Sequence, residues 1–441
     1  MNYHTETLPS GLRVIALPGE SQVVYCGIIV HGGTRNEQPG EEGLAHFCEH
    51  LSFKGTRRRT AVQIINAIEG VGGELNAFTQ KEDTVYYAAV TRQHLRRALS
   101  VLTDIVFHSQ YPQAEIEKEC EVVCDEIDSY EDSPADLIFD EFENILFEGH
   151  PLGHNILGTA SQVRSYTHDH VERFAARYYR PDNCVLFVSG GEPLGSLPSL
   201  GPVASLVPEA PVALAALEAP VTPAAPAALA ALEAPALPAA PAALEAPAAP
   251  VAPSAPAPLS SPIVRHRGTH QAHVMLGTRT FPANDPRRWA LFLLNNILGG
   301  PGMNSRLNLS LRERRALVYT VESQMVTYSD TGLWSVYFGC DPADVNRCLR
   351  LVRRELDRLM ERPLSPTQLT RAKRQLCGQL AIASENREQF ALDMAKVYLH
   401  EGRLHSLDYV LEHIEALTAD DLWLTARELF APERLTTLVY D

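Results

Sequence analysis

The stretch GLAHFCEHLSFKGT, residues 43–56, sets two histidines and a glutamate, His46, Glu49 and His50, within five positions of one another beside an aliphatic run. Leu44, Ala45, Phe47, Leu51 and Phe53 supply the apolar residues that would bury a helix here. Gly43 and the acidic pair Glu41 and Glu42 mark its start, with anions near the positive end of the helix dipole. On a helix, His46 and His50 are one turn apart and project from the same face, the spacing at which two imidazoles grip one metal ion. Glu49 lies beside His50 and one turn from His46, within reach of a water on that metal. A buried helix carrying these three groups is costly unless they are satisfied, and a zinc ion would satisfy them.

The pattern HxxEH is the inverted form of the HExxH zinc motif. In a chain with 16 histidines it also arises by chance, so the weight falls on spacing and burial. A catalytic zinc takes three protein ligands and leaves one position open. Two histidines therefore predict a third ligand, and a carboxylate is expected. Residues 112–131, PQAEIEKECEVVCDEIDSYE, read as a helix with Pro112 near its start. Ile116, Cys120, Val123 and Ile127 give it a buried stripe. Glu119 and Glu126 stand seven residues apart, two turns along one face. One can ligate the metal while the other hydrogen-bonds a ligand, and spacing leaves open which does which. Glu115, Glu117, Glu121 and Asp125 read as a solvated acidic face.

The chain has 441 residues, enough for two or three domains, and 45% of them are apolar. A net charge of −16 excludes a general nucleic-acid binder, whose footprint is basic. Eight cysteines without a CxxC pair fit a reducing compartment. The start of the chain lacks a basic region followed by an apolar core, and no apolar run is long enough for a membrane span. A cytoplasmic protein without membrane partners is expected.

Residues 1–190 read as strands, then helices, then a returning strand, NCVLFVSG. Residues 191–262 form an Ala/Pro-rich linker. Between 201 and 260 there are 24 Ala and 14 Pro, with LAALEAP at 214–220 and again at 229–235. Proline at this frequency prevents a long helix, so an extended spacer is expected. Residues 263–441 repeat the strand–helix–strand order. The fold class is therefore α+β: two similar sandwich-like units, each a mainly antiparallel sheet covered by helices. GGPGMNSR at 299–306 lacks the Lys-Ser/Thr ending of a phosphate loop, and no GxSxG motif is present. Arg312 and Tyr319, in LRERRALVY, read by composition as a surface cation and a strand aromatic.

LPSGLRVIALP, GGTRNEQPGEEGLAHFCEHLSFKGT, GVGGELNAFTQKEDTVYYAAV and EKECEVVCDEIDSYEDSP occur in the order found in the pitrilysin/insulinase family of zinc metallopeptidases. The chain resembles that family over nearly all its length outside the Ala/Pro segment, and resembles most the short-chain branch of processing-type peptidases. The resemblance implies a metalloendopeptidase with one zinc ion per chain, held by His46, His50 and Glu126. It also implies that Glu119 supports a ligand and that Glu49 is the general base. Arg312 and Tyr319 fall where the family binds the substrate carbonyl region or stabilises the oxyanion. Asn76, Ala77 and Phe78 fall on the edge strand that pairs with peptide backbone. Peptides or unfolded polypeptides are the implied substrates. Long-chain relatives carry four such units, which implies a homodimer here, or a heterodimer with a related subunit. Some relatives are non-catalytic scaffold or partner subunits, the alternative for this chain. Two departures stand out: Cys48 replaces a bulky apolar residue, and the connection between the halves is unusually long.

Overall fold

Short runs of β-branched and aromatic residues form two sheets in the computed structural model, which describes residues 3–191, 207 and 262–441. The first sheet contains β1 (His4–Thr7), β2 (Arg13–Leu17), β3 (Val23–Val30), β4 (Glu74–Thr79), β5 (Thr84–Thr91) and β6 (Cys184–Ser189). Their order is β1-β2-β6-β3-β5-β4. The second contains β7 (Ile263–Arg265), β8 (Ala272–Thr280), β9 (Val318–Thr327), β10 (Gly332–Cys340) and β11 (Thr436–Tyr440), in the order β7-β11-β8-β10-β9. Read from β2 and from β7, both sheets run first, last, second, fourth, third in chain order. Both are antiparallel except for one parallel pair, β2 with β6 and β7 with β11. The expected pair of similar α+β units is present. Strands β1 and β7 were not anticipated, because their residues are largely exposed and carry no apolar alternation. The expected linker lies outside the described residues, apart from positions 191, 207 and 262.

Helices of the first half are α1 (Leu44–Ser52), α2 (Ala61–Glu69), α3 (Leu95–Phe107), α4 (Gln113–Glu131), α5 (Pro134–Leu146), α6 (Ala160–Val163) and α7 (His168–Tyr178). Those of the second are α8 (Arg288–Gly299), α9 (Val345–Glu361), α10 (Pro366–Ala383), α11 (Arg387–Glu401), α12 (Leu407–Ala416) and α13 (Ala419–Leu429). The segment GMNSRLNLSLRERRALVY enters β9 through a π-helical stretch, Asn308–Glu313.

Several strands are apolar on both faces because both faces of each sheet are covered. In the first sheet Val14, Cys26 and Ile28 pack against α1, α3 and α4, while Ile15, Ile29 and Phe187 point the other way. The cover on that second side is α11, from the other half of the chain, through Ala391, Met394, Ala395 and Tyr398. The converse holds for the second sheet. Trp334 and Phe338 face their own helices, while Met275, Tyr337 and Leu438 pack against Leu137, Ile138 and Phe142 of α5. Each half thus lends a helix to the other's sheet. Polar contacts reinforce the exchange. The Arg35 guanidinium lies between Glu82, at 2.7 Å, and Asp330 of the second half, and the Ser329 N–H donates to Glu82. Among the described residues no helix is long and apolar enough to cross a membrane.

One local expectation is corrected. Helix α1 begins at Leu44 with Gly43 as its N-cap, but the carboxylates of Glu41 and Glu42 do not meet its free N–H groups; only the Glu41 backbone carbonyl accepts from Leu44. Glu41 pairs with Arg177, and Glu42 turns back to the Gly40 N–H. The anion at the helix start is Glu37, whose carboxylate accepts from the Gly43 and Ala45 N–H groups at 3.0 and 2.7 Å. Gly43 has a φ of +93°, and a Cβ there would lie 2.5 Å from the Leu157 carbonyl oxygen. Glycine lets the chain enter the helix against that wall.

Candidate metal and catalytic site

Helix α1 is buried along almost its whole length, because Leu44, Phe47, Cys48 and Leu51 pack into the first core. That packing fixes which way the other face points. His46 and His50 stack edge to face, ring centroids 4.6 Å apart, and their Nε2 atoms lie 3.8 and 3.5 Å from the same oxygen, Glu126 Oε2 on α4. These distances are too long for good hydrogen bonds. They are close to the separation of two donors around one tetrahedral zinc, about 3.3 Å for donor–metal bonds of about 2.0 Å. Among the described residues this is the single group of three donors that can hold a metal ion. Two imidazoles and a carboxylate suit zinc.

Electrostatics point the same way. Burial, with His50 adding to it, pushes His46 down to about 3, so its ring is neutral and free to ligate. Its Nδ1 is buried without a hydrogen-bond partner. Burial pulls His50 down too, but Glu119, Glu49 and Glu126 together outweigh it and hold its pKa above the ordinary value. Glu119 is buried beside His50, with Oε2 3.3 Å from Nδ1, and its other oxygen takes an ion pair from Lys54 at 2.6 Å. Burial alone would raise Glu119; His50 and Lys54 instead hold it below the usual carboxylate range. Glu119 and Glu126 do share a face of α4. Glu119 contacts the back nitrogen of His50, and Glu126 meets the front nitrogens of both rings.

Glu49 is buried beside this group and accepts a hydrogen bond from Thr79 Oγ1 at 2.6 Å. Burial raises its pKa, and the charge of Glu126 adds to that against the effects of Thr79 and His50. Thr79 ends β4, which among the described residues pairs only with β5 and leaves its other edge unpaired. Asn76 is exposed on that strand, Ala77 leans on the helix-side core, and Phe78 faces the opposite side beside Tyr87. Arg312 and Tyr319 come together elsewhere. They line one cavity of about 550 Å³ with Gly299, Asn308 and Gln379, and none of the residues around α1 and α4 borders it. Tyr319 is 81% exposed. It sits on β9, the edge strand that occupies in the second sheet the place of β4 in the first. Cys48 is buried against Tyr111, so it packs and does not approach the ligand atoms.

Four contributors escaped the sequence reading: Thr79, Lys54, Glu37 and His154. Thr79 was readable, since Leu75 and Ala77 face α1 and strand periodicity turns Thr79 the same way. Lys54 lies four residues past His50, a helical spacing. Glu37 and its partner His154, 2.9 Å away, come from loops and carry no periodic signal.

Comparison with known proteins identifies the family. Residues 14–160 match the model for insulinase, peptidase family M16, and residues 165–376 match that for the peptidase M16 inactive domain. An uncharacterized zinc protease of Streptomyces coelicolor is 36% identical over 425 residues, covering 96% of this chain and 86% of its own. A second, from Bacillus subtilis, is 29% identical and covers 98% of this chain and 97% of its own. Among solved structures, a protease from Helicobacter pylori shares the fold with a TM-score of 0.81 at 22% identity, covering 100% of this chain and 99% of that one. A peptidase M16 inactive domain from Pseudomonas fluorescens does so at 0.82 and 19%, covering 100% and 98%. With family models matching both halves and a relative more than a third identical along nearly the whole length, the chain belongs to the insulinase family of peptidases, M16.

Proposed function

We propose that the protein is a zinc-dependent endopeptidase acting on peptides or unfolded polypeptides. The observation that carries the reading is the convergence of His46, His50 and Glu126 on one point, with the buried carboxylate of Glu49 alongside. His46, His50 and Glu126 would hold one zinc ion per chain, and Glu119 would orient His50. When bound, zinc supplies a Lewis acid for the scissile carbonyl and acidifies water. Glu49 takes the proton of the attacking water onto its carboxylate and hands it to the leaving amine nitrogen as the C–N bond breaks. Its raised pKa suits a group that must both accept and return a proton. The free edge of β4 at Asn76, Ala77 and Phe78 would pair with extended peptide backbone, a mode that tolerates many sequences. Arg312 and Tyr319 would donate to the developing negative charge.

Their cavity borders none of the metal-site residues, which supports completion of each site by a second copy of the chain in a homodimer. A cytoplasmic location is consistent with eight free cysteines. The test is direct. Purified protein should carry stoichiometric zinc and cleave a quenched peptide in a chelator-sensitive way. Glu49→Gln should keep the metal and lose at least about a hundredfold in turnover. A metal-loaded wild type without peptidase activity would favour a scaffold subunit, and near wild-type cleavage by Glu49→Gln would remove the mechanism.

A further inference from the structure

The segment from Ser305 to Arg314 has two faces, and each borders a different cavity. Ser305, Asn308 and Arg312 line the one that also holds Tyr319. Arg306, Leu309 and Arg314 line another, of about 420 Å³, closed on its far side by the end of α9 and the chain that follows. That far side brings Glu355, Arg358, Glu361 and Arg362. Four guanidinium groups therefore face two carboxylates, in a chain whose net charge is −16.

The pairing within the cavity is incomplete. Glu355 is buried and committed to Arg358 at 2.6 Å. The side chains of Arg306, Arg314 and Arg362 make no ion pair or hydrogen bond among the described residues, and Glu361 is an exposed group at the end of α9. Arg306 is only partly exposed, and burial together with the charge of Arg358 works against its protonated form, with Glu355 opposing. Guanidinium stays charged at any ordinary pH, so the partly buried Arg306 gains most from a counter-anion, and the exposed Arg314 and Arg362 lie on the same cavity to share it. The negative end of the α9 dipole compensates Arg358 and Arg362 in part, but it falls off within one turn.

We propose that this arginine-lined cavity binds a small anion bearing phosphate groups. Guanidinium forks match phosphate oxygens in pairs. Three unpaired forks on two chain segments call for a ligand with more than one negative charge and acceptors in several directions. A lone carboxylate would leave most of them unmatched. The volume admits an oligophosphate or the phosphate chain of a nucleotide. The site is separate from the proposed metal centre and stands whether or not the chain is a peptidase.

The test is calorimetric titration of the purified full-length protein with inorganic pyrophosphate and, separately, with ATP, at matched ionic strength. Saturable binding at one ligand per chain is expected. Arg314→Gln and Arg362→Gln change exposed side chains, so their folds should survive, which a thermal melt checks. Each should weaken binding by about tenfold or more, the usual effect of losing a charge-assisted hydrogen bond. Arg306→Gln should weaken it at least as much. Competition between the two ligands would show that phosphate is the recognised part; tight binding of ATP with weak binding of pyrophosphate would identify the source as a nucleotide. Absence of saturable binding by either would overturn the proposal. So would binding that Arg314→Gln and Arg362→Gln leave unchanged, which would place the anion at the metal or another surface.

Discussion

Replacing Glu119 by alanine should weaken zinc binding without abolishing it. The carboxylate touches no point where a metal would sit; it holds the back of His50, with Oε2 3.3 Å from Nδ1. It is in turn fixed by Lys54 at 2.6 Å on its other oxygen. Removing it frees the imidazole to rotate and takes away the charge that makes its other nitrogen a better donor. Such outer partners are typically worth 10–100-fold in metal affinity, or roughly 1.4–2.7 kcal/mol. Lys54 is partly exposed, so water can take over its solvation and the fold should tolerate the change. Glu126→Ala removes a proposed ligand outright and should lose bound metal under conditions where Glu119→Ala keeps most of it. Glu119→Gln, which keeps an acceptor but not the charge, should fall between wild type and alanine. Competition with a coloured chelator at neutral pH, with the zinc content of dialysed protein alongside, gives all three affinities. Wild-type affinity in Glu119→Ala would refute the orienting role. A loss as complete as in Glu126→Ala would make Glu119 itself a ligand.

Burial pushes Glu37 up to about 7 from an ordinary 4.5, despite His154 and the two backbone N–H groups. Between those values the folded chain holds more protons than the unfolded one, so this group makes stability fall as pH rises through the window, by up to about 3 kcal/mol. Glu37→Gln should flatten that part of the stability profile measured by chemical denaturation; an unchanged slope would refute the assignment. Phe142 of α5 is fully buried under the second sheet, and Phe142→Ala should cost about 3–5 kcal/mol in the first unfolding transition, with a loss under about 1 kcal/mol counting against the interlock. If two copies complete each other's sites, inactive Glu49→Gln and impaired Arg312→Ala homodimers should regain activity when mixed and re-equilibrated, to about a quarter of wild type for random exchange. Exchange seen by mass spectrometry without recovered activity would refute completion in trans.

Helix α1 was legible because its information is local. Spacing put His46 and His50 on one face, and apolar neighbours said the helix was buried. Glu119 and Glu126 were legible as a pair for the same reason, but spacing did not separate their proposed roles and only the family resemblance did, because the difference lies in which side of His50 each meets across two helices. Glu37 was illegible for a related reason. Its distance from the helix it caps is closed by tertiary structure, whereas Glu41 and Glu42 are nearer in sequence and turn elsewhere. The short strands β1 and β7 are specified by the neighbours they pair with rather than by their own residues. The exchange of α5 and α11 was out of reach too, since an amphipathic stripe says that a helix is buried and not which sheet covers it.

That exchange changes what the connection between the halves is for. Because α5 completes the second sheet and α11 the first, neither half has a finished interior alone, and their mutual position is set by matched apolar surfaces and by Arg35 and Arg13 reaching across. Val207 is buried in the first core, and if the rest of the connection is a spacer it acts through effective concentration, a quantity that decides how readily the halves meet and not how they sit once met. A chain cut once between residues 208 and 261 should persist as a two-piece particle with the same arrangement of His46, His50 and Glu126, and that junction would then be a place where sequence can lengthen, shorten or drift while the proposed site stays intact.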